Sequence, residues 1–452
     1  MADDQGWGDV AYNGNEVLKT PTLDEMAATG LRLDRFYAAA PVCSPTRASV
    51  LTGRHPNRMG CFSWGYTLRP QELTMAEVLK TAGYATGHFG KWHLGPVGPG
   101  SPVSPGASGF NRWLSSPNFF EISPKLAQNG IPVATKGEGS EVIVEAALGF
   151  IRQAVERKQP FLAVIWFGSP HLPHEATDED RAPYRDLPEK LQHYYGEITA
   201  MDRAMGRLRA QLRELKIADH TLLWYTSDNG ATTPGSTGGL RGKKGTLWEG
   251  GVRVPCVLEW PARIRSARTS ALPCGTVDIY PTVLEIAGAV ASRQPPLDGV
   301  SLVPLMDGRM AERPKPMGFW DYPAPGRPVR SGELLDQLAD RIRAAVATAP
   351  GEPALVETDE DPGVIRQTYS LEERPGHAAW IDGAYKLHRI PKGKDAKQFT
   401  YSLYDIERDP HEENDLADKE PERTARMRGA LEAWQQSVVR SLNGEDYPRA
   451  EP

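Results

Sequence analysis

Short apolar runs that end in polar or glycine-rich turns alternate with amphipathic helical segments through most of the first 300 residues of this chain. That alternation is what a largely parallel sheet flanked by helices demands, because each parallel strand must return through a crossover long enough to hold a helix. "ELTMAEVLKTAGY" reads as a helix stopped at Gly83, "YATGHFGKWHLG" as a strand entering a loop at Gly90, and "SEVIVEAALGFIRQAVERK" as a helix leading to the strand "FLAVIWF". "LPEKLQHYYGEITAMDRAMGRLRAQLREL" spaces its apolar residues by three and four, as a long surface helix does. "TLLWYTSDNGA" and "VRVPCVLEWP" are expected strands, and "DIYPTVLEIAG" an expected helix closed by Gly288.

The texture changes after about residue 300. "DYPAPGRPVRSGE" is a proline-rich loop, residues 332–347 an exposed amphipathic helix, and "ETDEDPGV" an acidic turn region. "HAAWIDG", "YKLHRI" and "FTYSLYDI" predict a small antiparallel sheet, followed by a helix from about Glu420 to Ser441. At 452 residues the chain exceeds one ordinary core, so the expectation is a large α/β domain over 1–330 and a smaller subdomain over 331–452.

A formal net charge of −6 excludes a broad nucleic-acid-binding surface, so any anion the protein handles must be met locally. No run is long and apolar enough for a membrane span. Met1 is followed at once by "ADDQGWGD", which has no signal-peptide pattern. The four cysteines, Cys43, Cys61, Cys256 and Cys274, show no CxxC spacing and are too few for a disulfide framework, although one pair remains open to bridging.

In "PVCSPTRASVLTGR", residues 41–54, Ser44 is a good helix cap, Pro45 suits the first helical position and Gly53 can end the helix. Cys43 then stands just before a helix N-terminus, where an anionic transition state is favoured. In open α/β sheets ligands gather beyond the carboxyl ends of the strands, and polar residues follow the strands here at four places. They are Lys91 and His93 in "KWHLG", His171 and His174 in "SPHLPH", Asp228 and Asn229 in "SDNG", and Arg241, Lys243, Lys244, Glu249 and Arg253 in "GLRGKKGTLWEGGVRVP". Asp3 and Asp4 open the chain.

Each of these has a bland reading as a turn, a loop histidine or a solvated lysine. Together they are narrower. Asp3, Asp4, Asp228 and Asn229 offer oxygen ligands, which suit Ca2+ or Mg2+. Arg47, Lys91, Lys244 and a histidine supply cationic donors for a tetrahedral oxyanion. A hard metal, a cationic cage and a nucleophile at a helix N-terminus describe group transfer at sulfur or phosphorus.

Cys43-Ser44-Pro45-Thr46-Arg47 followed by Leu51-Thr52-Gly53-Arg54 resembles the C-x-P-x-R and L-T-G-R signature of the type I, formylglycine-dependent sulfatases. The resemblance implies an alkaline-phosphatase-like fold with a mixed, mostly parallel sheet. It also implies that a separate formylglycine-generating enzyme oxidises Cys43 to an aldehyde. "MADDQGWGD" and "TSDNG" are similar to the family's metal segments, implying Asp3, Asp4, Asp228 and Asn229 as ligands beside the modified Cys43, with Ca2+ or Mg2+ as the ion. "GKWHLG" implies Lys91 as a sulfate-binding cation and His93 as partner of the hydrated aldehyde; Arg47 helps hold that diol. The H-x-P pattern selects His171 over His174, and the lysine directly before Gly-Thr is Lys244 rather than Lys243.

The implied reaction is attack by the Cys43-derived diol on sulfur, with His171 as acid, a covalent sulfo-enzyme, and release of sulfate with His93 as base. The implied substrate is a sulfated carbohydrate, nearest to N-acetylgalactosamine 6-sulfate, with "SSPNFFE", the Asp321–Glu333 loop, Trp64 and Tyr66 as lining. A periplasmic or secreted location is expected from the family. The alternative is a phosphonate monoester or phosphodiester hydrolase of the same superfamily. "YKLHRI...LYDIERDPHEENDLA" resembles the family's small C-terminal domain. One departure stands out: the family places an apolar strand directly before the Asp-Asp pair, and this chain starts where that strand ends.

Overall fold

The computed structural model describes residues 1–348, 363–365, 367–393 and 398–447; most of the acidic turn expected at 357–364 lies outside them. At its centre, Arg112–Ser116, Ala85–Lys91 and Phe161–Trp166 run parallel, side by side in that order. Lys125–Gln128 and Ile131–Ala134 extend this sheet antiparallel. A second sheet runs in the order Arg268–Ser270, Leu31–Leu33, Cys256–Glu259, Leu223–Thr226.

The first residues stitch the two sheets together. Met1 donates from its ammonium to the Ile165 carbonyl (2.8 Å), and Phe167 N–H donates to the Met1 carbonyl (3.0 Å). On the other side Ala2 N–H donates to Thr226 O (2.8 Å) and Asp228 N–H to Ala2 O (3.2 Å). Met1–Asp3 therefore fills the exit end of a slot between Phe161–Trp166 and Leu223–Thr226. Behind Met1 the slot widens into an apolar cavity of about 160 Å3, lined by Leu162, Val164, Leu223 and Trp224 among others.

Alternation along the strands covers both faces. Val164 and Trp166 pack with Val50, Leu51, Val78 and Tyr280 of the helices Cys43–Thr52, Met75–Thr81 and Ile279–Ala287. Ala163, Ile165 and Phe167 face Ile143, Leu148, Ile198 and Met205 of Gly139–Glu156 and Glu189–Glu214. Side chains of successive strand residues point to opposite faces, so a strand with helices on both sides reads as one apolar run. The expected single strand in "VRVPCVLEWP" is two, Arg253–Val254 and Cys256–Glu259, in different sheets. Pro255, which has no N–H to donate, separates them.

Met317–Asp321, His377–Asp382, Tyr385–Lys392 and Gln398–Asp405 form an antiparallel sheet. One of its faces, with Phe319, Ala379 and Ile381, packs on Tyr37 of the short strand Phe36–Tyr37, on Leu247 and on Val252 of the helical turn Glu249–Val252. The other, with Trp320, Ala378 and Leu387, packs under Met427, Leu431 and Val438 of the helix Pro421–Leu442. The helix expected at 332–347 spans Ser331–Thr348 and is not wholly exposed: Leu335 and Leu338 are buried in the large core. Among the described residues all four cysteines are free, so no pair is bridged. No helix of the described residues is long and apolar enough to cross a membrane.

Candidate active site

The carboxyl ends of the central strands deliver the polar residues to one place. Cys43 begins its helix rather than preceding it: the helix spans Cys43–Thr52, with Val42 extended at φ −148°. Ser44 is not the cap, because its Oγ accepts from Gly65 N–H at 2.9 Å and so ties the helix start to the next loop. Gly53 closes the helix at φ +69°, a conformation glycine adopts without strain.

Lys91 is reached through Gly90, which continues the strand at φ +108° where a loop was expected. A Cβ there would lie 1.8 Å from the Trp166 carbonyl oxygen, so only glycine fits. The twist sends Lys91 to Asp3, with Nζ 2.5 Å from Oδ2.

Arg47, fully buried, is the hub. Its Nε and one terminal nitrogen donate to Asp228 Oδ2 (3.1 and 2.7 Å), and the other terminal nitrogen donates to Lys91 O (3.1 Å). It also lies 3.3 Å from Asp3 Oδ2 and covers the Trp166 ring at 5.1 Å. Lys244 Nζ is 2.5 Å from Asp4 Oδ1 and 3.4 Å from Cys43 Sγ. Asp4, at φ +65°, donates its N–H to Asp228 Oδ1 (3.1 Å) and accepts from the Asn229 amide (2.8 Å). Burying such charges costs several kcal/mol each, which mutual pairing offsets only when geometry is good. Three carboxylates, Asp3, Asp4 and Asp228, here meet three cations, Arg47, Lys91 and Lys244.

His171 Nε2 lies 3.8 Å from Asp4 Oδ2, and its ring stacks on Phe119 at 4.4 Å. His174 turns away, to 3.4 Å from Glu197 Oε2. Lys243 is exposed and reaches Thr233 Oγ1 at 3.3 Å. His93 is buried at φ +53°, its N–H on Pro117 O (3.2 Å), and Lys91, Arg47 and Asp3 act on its ring.

Burial pushes the Cys43 thiol up to about 12 despite Lys244 and Lys91, so an unmodified Cys43 is protonated at neutral pH. Burial would raise Asp3, but Lys91, His171 and Arg47 outweigh it and hold the carboxyl below its usual range. Burial and the neighbouring Asp3 lift Asp228 to about 6. Burial, then Lys91, lowers both His93 and His171 below the ordinary histidine value.

The residues present fit a hard cation. One ligand atom each of Asp3, Asp4, Cys43 and His171 lies within 4.8 Å of the others. The buried Asn229 Oδ1 has no hydrogen-bond partner among the described residues, an acceptor that a cation would satisfy. Two of those four atoms are carboxylate oxygens and Asn229 Oδ1 offers a third, the donor type that Ca2+ and Mg2+ prefer, whereas Asp228 is outside the four and has both oxygens engaged by Asp4 N–H and Arg47.

Beside His93 opens a cavity of about 310 Å3 whose walls include Gly65, Thr67, Pro117, Val329 and Leu335. Pro117 and Val329 come from the "SSPNFFE" and Asp321–Glu333 segments. Trp64 and Tyr66 flank the wall residue Gly65; Trp64 is 38% exposed. Sequence reasoning missed the Phe119 stack on His171 and the Trp166 face under Arg47, because neither aromatic belongs to a polar motif.

This fold and this cluster define a class: the sulfatase family model matches residues 1–289, and the chain belongs to that family. The N-acetylgalactosamine-6-sulfatase of Sus scrofa is 35% identical over 70% of this chain, which spans 66% of that relative's length. Arylsulfatase A of Homo sapiens is 33% identical, with 82% of each chain covered. Among solved structures, Ps i-CgsB bound to k-i-k-neocarrahexaose covers 99% of this chain and 97% of its own, with a TM-score of 0.78 at 24% identity. The phosphonate monoester hydrolase of Agrobacterium radiobacter is more distant, with a TM-score of 0.58 at 19% identity, covering 98% of this chain and 95% of its own.

Proposed function

We propose that this chain hydrolyses sulfate esters of carbohydrates at residue 43, with Cys43 oxidised to formylglycine by a separate generating enzyme and Ca2+ or Mg2+ held by Asp3, Asp4, Asp228 and Asn229. The observation that carries this is Lys244 Nζ at 3.4 Å from the sulfur of the buried Cys43 at a helix N-terminus, with Lys91 and Arg47 paired to Asp3 and Asp228 of the same cluster. The ion would contribute positive charge beside the sulfate, and the hydrated aldehyde both a covalent nucleophile and a second hydroxyl for expelling sulfate.

The remaining work falls to ordinary side chains. Lys91 and Lys244 bind sulfate oxygens as fixed cations, and Arg47 holds Asp228 and residue 43 in register. His171 Nδ1 lies 2.5 Å from the Leu172 carbonyl, leaving Nε2 toward the site. An anionic ester beside that ring favours its protonated form, so Nε2 can hand a proton to the departing alcohol oxygen. His93, kept neutral by burial and Lys91, is suited to take a proton from residue 43 in the second half-reaction. The alcohol side of the ester is assigned to the cavity beside His93. The names of the N-acetylgalactosamine-6-sulfatase relatives favour a sulfated amino sugar, and the phosphonate reading rests on a distant fold likeness alone.

The test is turnover of nitrophenyl sulfate against a phenyl phosphonate ester by fully modified protein, with mass spectrometry of the peptide containing residue 43. An aldehyde at 43, preferred sulfate turnover, and loss of nearly all of it in both Cys43→Ser and Cys43→Ala are expected. Full activity in the alanine variant would end the covalent scheme.

A further inference from the structure

The turn "DPHEEN", residues 409–414, lies outside the catalytic cluster, yet it grips the loop that carries Lys244. Glu412 is fully buried, at φ +56°, in a turn closed by its own N–H on Asp409 O (3.1 Å). Its carbonyl accepts from the Arg241 guanidinium (2.8 Å), and its Oε2 from Glu249 N–H (2.7 Å). Those two residues are the ends of the loop, and Gly250 N–H on Arg241 O (2.7 Å) joins them.

The same carboxylate ties the loop to the C-terminal sheet. Glu412 Oε1 is 2.6 Å from His388 Nε2 and 3.3 Å from Lys386 Nζ, and Lys386 also pairs with Glu249 Oε1 at 2.9 Å. The Arg241 guanidinium lies 3.6 Å from the centre of the Trp248 ring, which in turn leans on His388 at 4.3 Å. Next to Glu412, His411 Nδ1 reaches Gly239 O at 2.8 Å. At mid-loop, among the described residues, only Lys244 N–H on Ala231 O (3.1 Å) and Gly245 N–H on Pro41 O (2.9 Å) hold the backbone to the catalytic side.

We infer that Glu412 is a positioning residue for Lys244: through Arg241, Glu249 and Lys386, the C-terminal sheet sets where the sulfate-binding ammonium stands. The inference rests on the reading of Lys244 as a sulfate-binding cation. A long, flexible lysine acts at a fixed point only if its backbone is fixed, and a misplacement of about 1 Å can cost roughly 100-fold. A buried residue with four partners, three on its carboxylate and Arg241 on its carbonyl, supplies that rigidity where a glycine-rich loop cannot.

The experiment measures calorimetric binding of inorganic sulfate, and KM and kcat for nitrophenyl sulfate, in Glu412→Ala, Glu412→Gln, Lys244→Ala and the double variant Glu412→Ala/Lys244→Ala. Expected are sulfate binding weakened about 10–100-fold and KM raised in Glu412→Ala, partial recovery in Glu412→Gln, and no further loss when Glu412→Ala is added to Lys244→Ala. Additive losses, or a lower melting temperature with sulfate affinity and KM unchanged, would overturn the positioning role while leaving Lys244 in place. Normal sulfate binding in Lys244→Ala would overturn both. If Glu412→Ala does not fold, Glu412→Gln and Arg241→Gln carry the same comparison.

Discussion

The ammonium of Lys244 stands 3.4 Å from the sulfur of Cys43 and 2.5 Å from Asp4 Oδ1, so one cation faces both residue 43 and a carboxylate of the proposed metal site. Against the cost of burial, the carboxylates of Asp4 and Asp3 raise Lys244 well above its ordinary value and keep it charged. Replacing Lys244 by alanine removes one oxyanion donor, worth about 3–4 kcal/mol. A fall of about 100- to 1,000-fold in kcat/KM for nitrophenyl sulfate is expected, with circular dichroism unchanged. Normal kinetics would show that the cage lies elsewhere.

Asp3, Asp4, Asp228 and Asn229 make the second prediction one of metal linkage. Adding Ca2+ or Mg2+ to chelator-treated protein should raise the melting temperature, because an ion that binds only the folded state stabilises it, by about 2.7 kcal/mol at a hundred times Kd. Asp228→Asn should blunt that rise. A melting temperature indifferent to either ion would remove the metal from the scheme.

The C-terminal helix reports on a different buried charge. Asp298 accepts from Arg58 twice (2.6 and 2.8 Å), from His55 N–H (2.7 Å) and from the Trp434 indole (3.0 Å). Burial alone would raise its carboxyl, but Arg58 and these hydrogen bonds hold it far below the usual range. A depressed folded value adds stability above the unfolded pKa of about 3.9, and that stability drains as pH falls through the folded value. Asp298→Asn should therefore cost about 3–5 kcal/mol at pH 7, and the gap in urea denaturation should narrow below about pH 4. A gap that does not change with pH would exclude the ion pair as its source.

The apolar cavity behind Met1 sets the fourth expectation. Its walls, Leu162, Val164, Leu223 and Trp224, belong to two strands whose facing edges Met1–Asp3 bridges only at one end. An apolar β-strand fused upstream of Met1 would fill the cavity, each buried Val, Leu or Ile adding about 1.5–3 kcal/mol. Each kcal/mol gained corresponds to roughly 2–4 °C or less in Tm for a chain of this size. Equal melting temperatures with and without the added strand would refute the slot.

The alternation of apolar runs and helices was enough to anticipate the central parallel strands, because a strand buried on both faces must read as a continuous apolar stretch. Phe161–Trp166, packed by helices on both faces with Val164 and Trp166 buried and the rest half-buried, comes near that case. The break at Pro255 was visible as a residue but not as a change of sheet, since pairing partners lie far away in the chain. The helix start at Cys43 was misplaced by two residues because Ser44 looked like a cap, and only the fold brings Gly65 close enough to use its hydroxyl.

By itself, the sequence determined which residue types were available for chemistry: a cysteine with Pro45 and Arg47 at helical spacing, oxygen ligands in two short motifs, and lysines just beyond strand ends. Local composition governs what a side chain can donate, accept or ionise. Only the tertiary structure decided that Asp3 and Asp228, more than two hundred residues apart, meet at Arg47. It also decided that Phe119 stacks on His171, and that Glu412 reaches both ends of the Lys244 loop. Those facts depend on strand order and on the packing of one sheet against another, and neither leaves a periodic trace in the residues themselves.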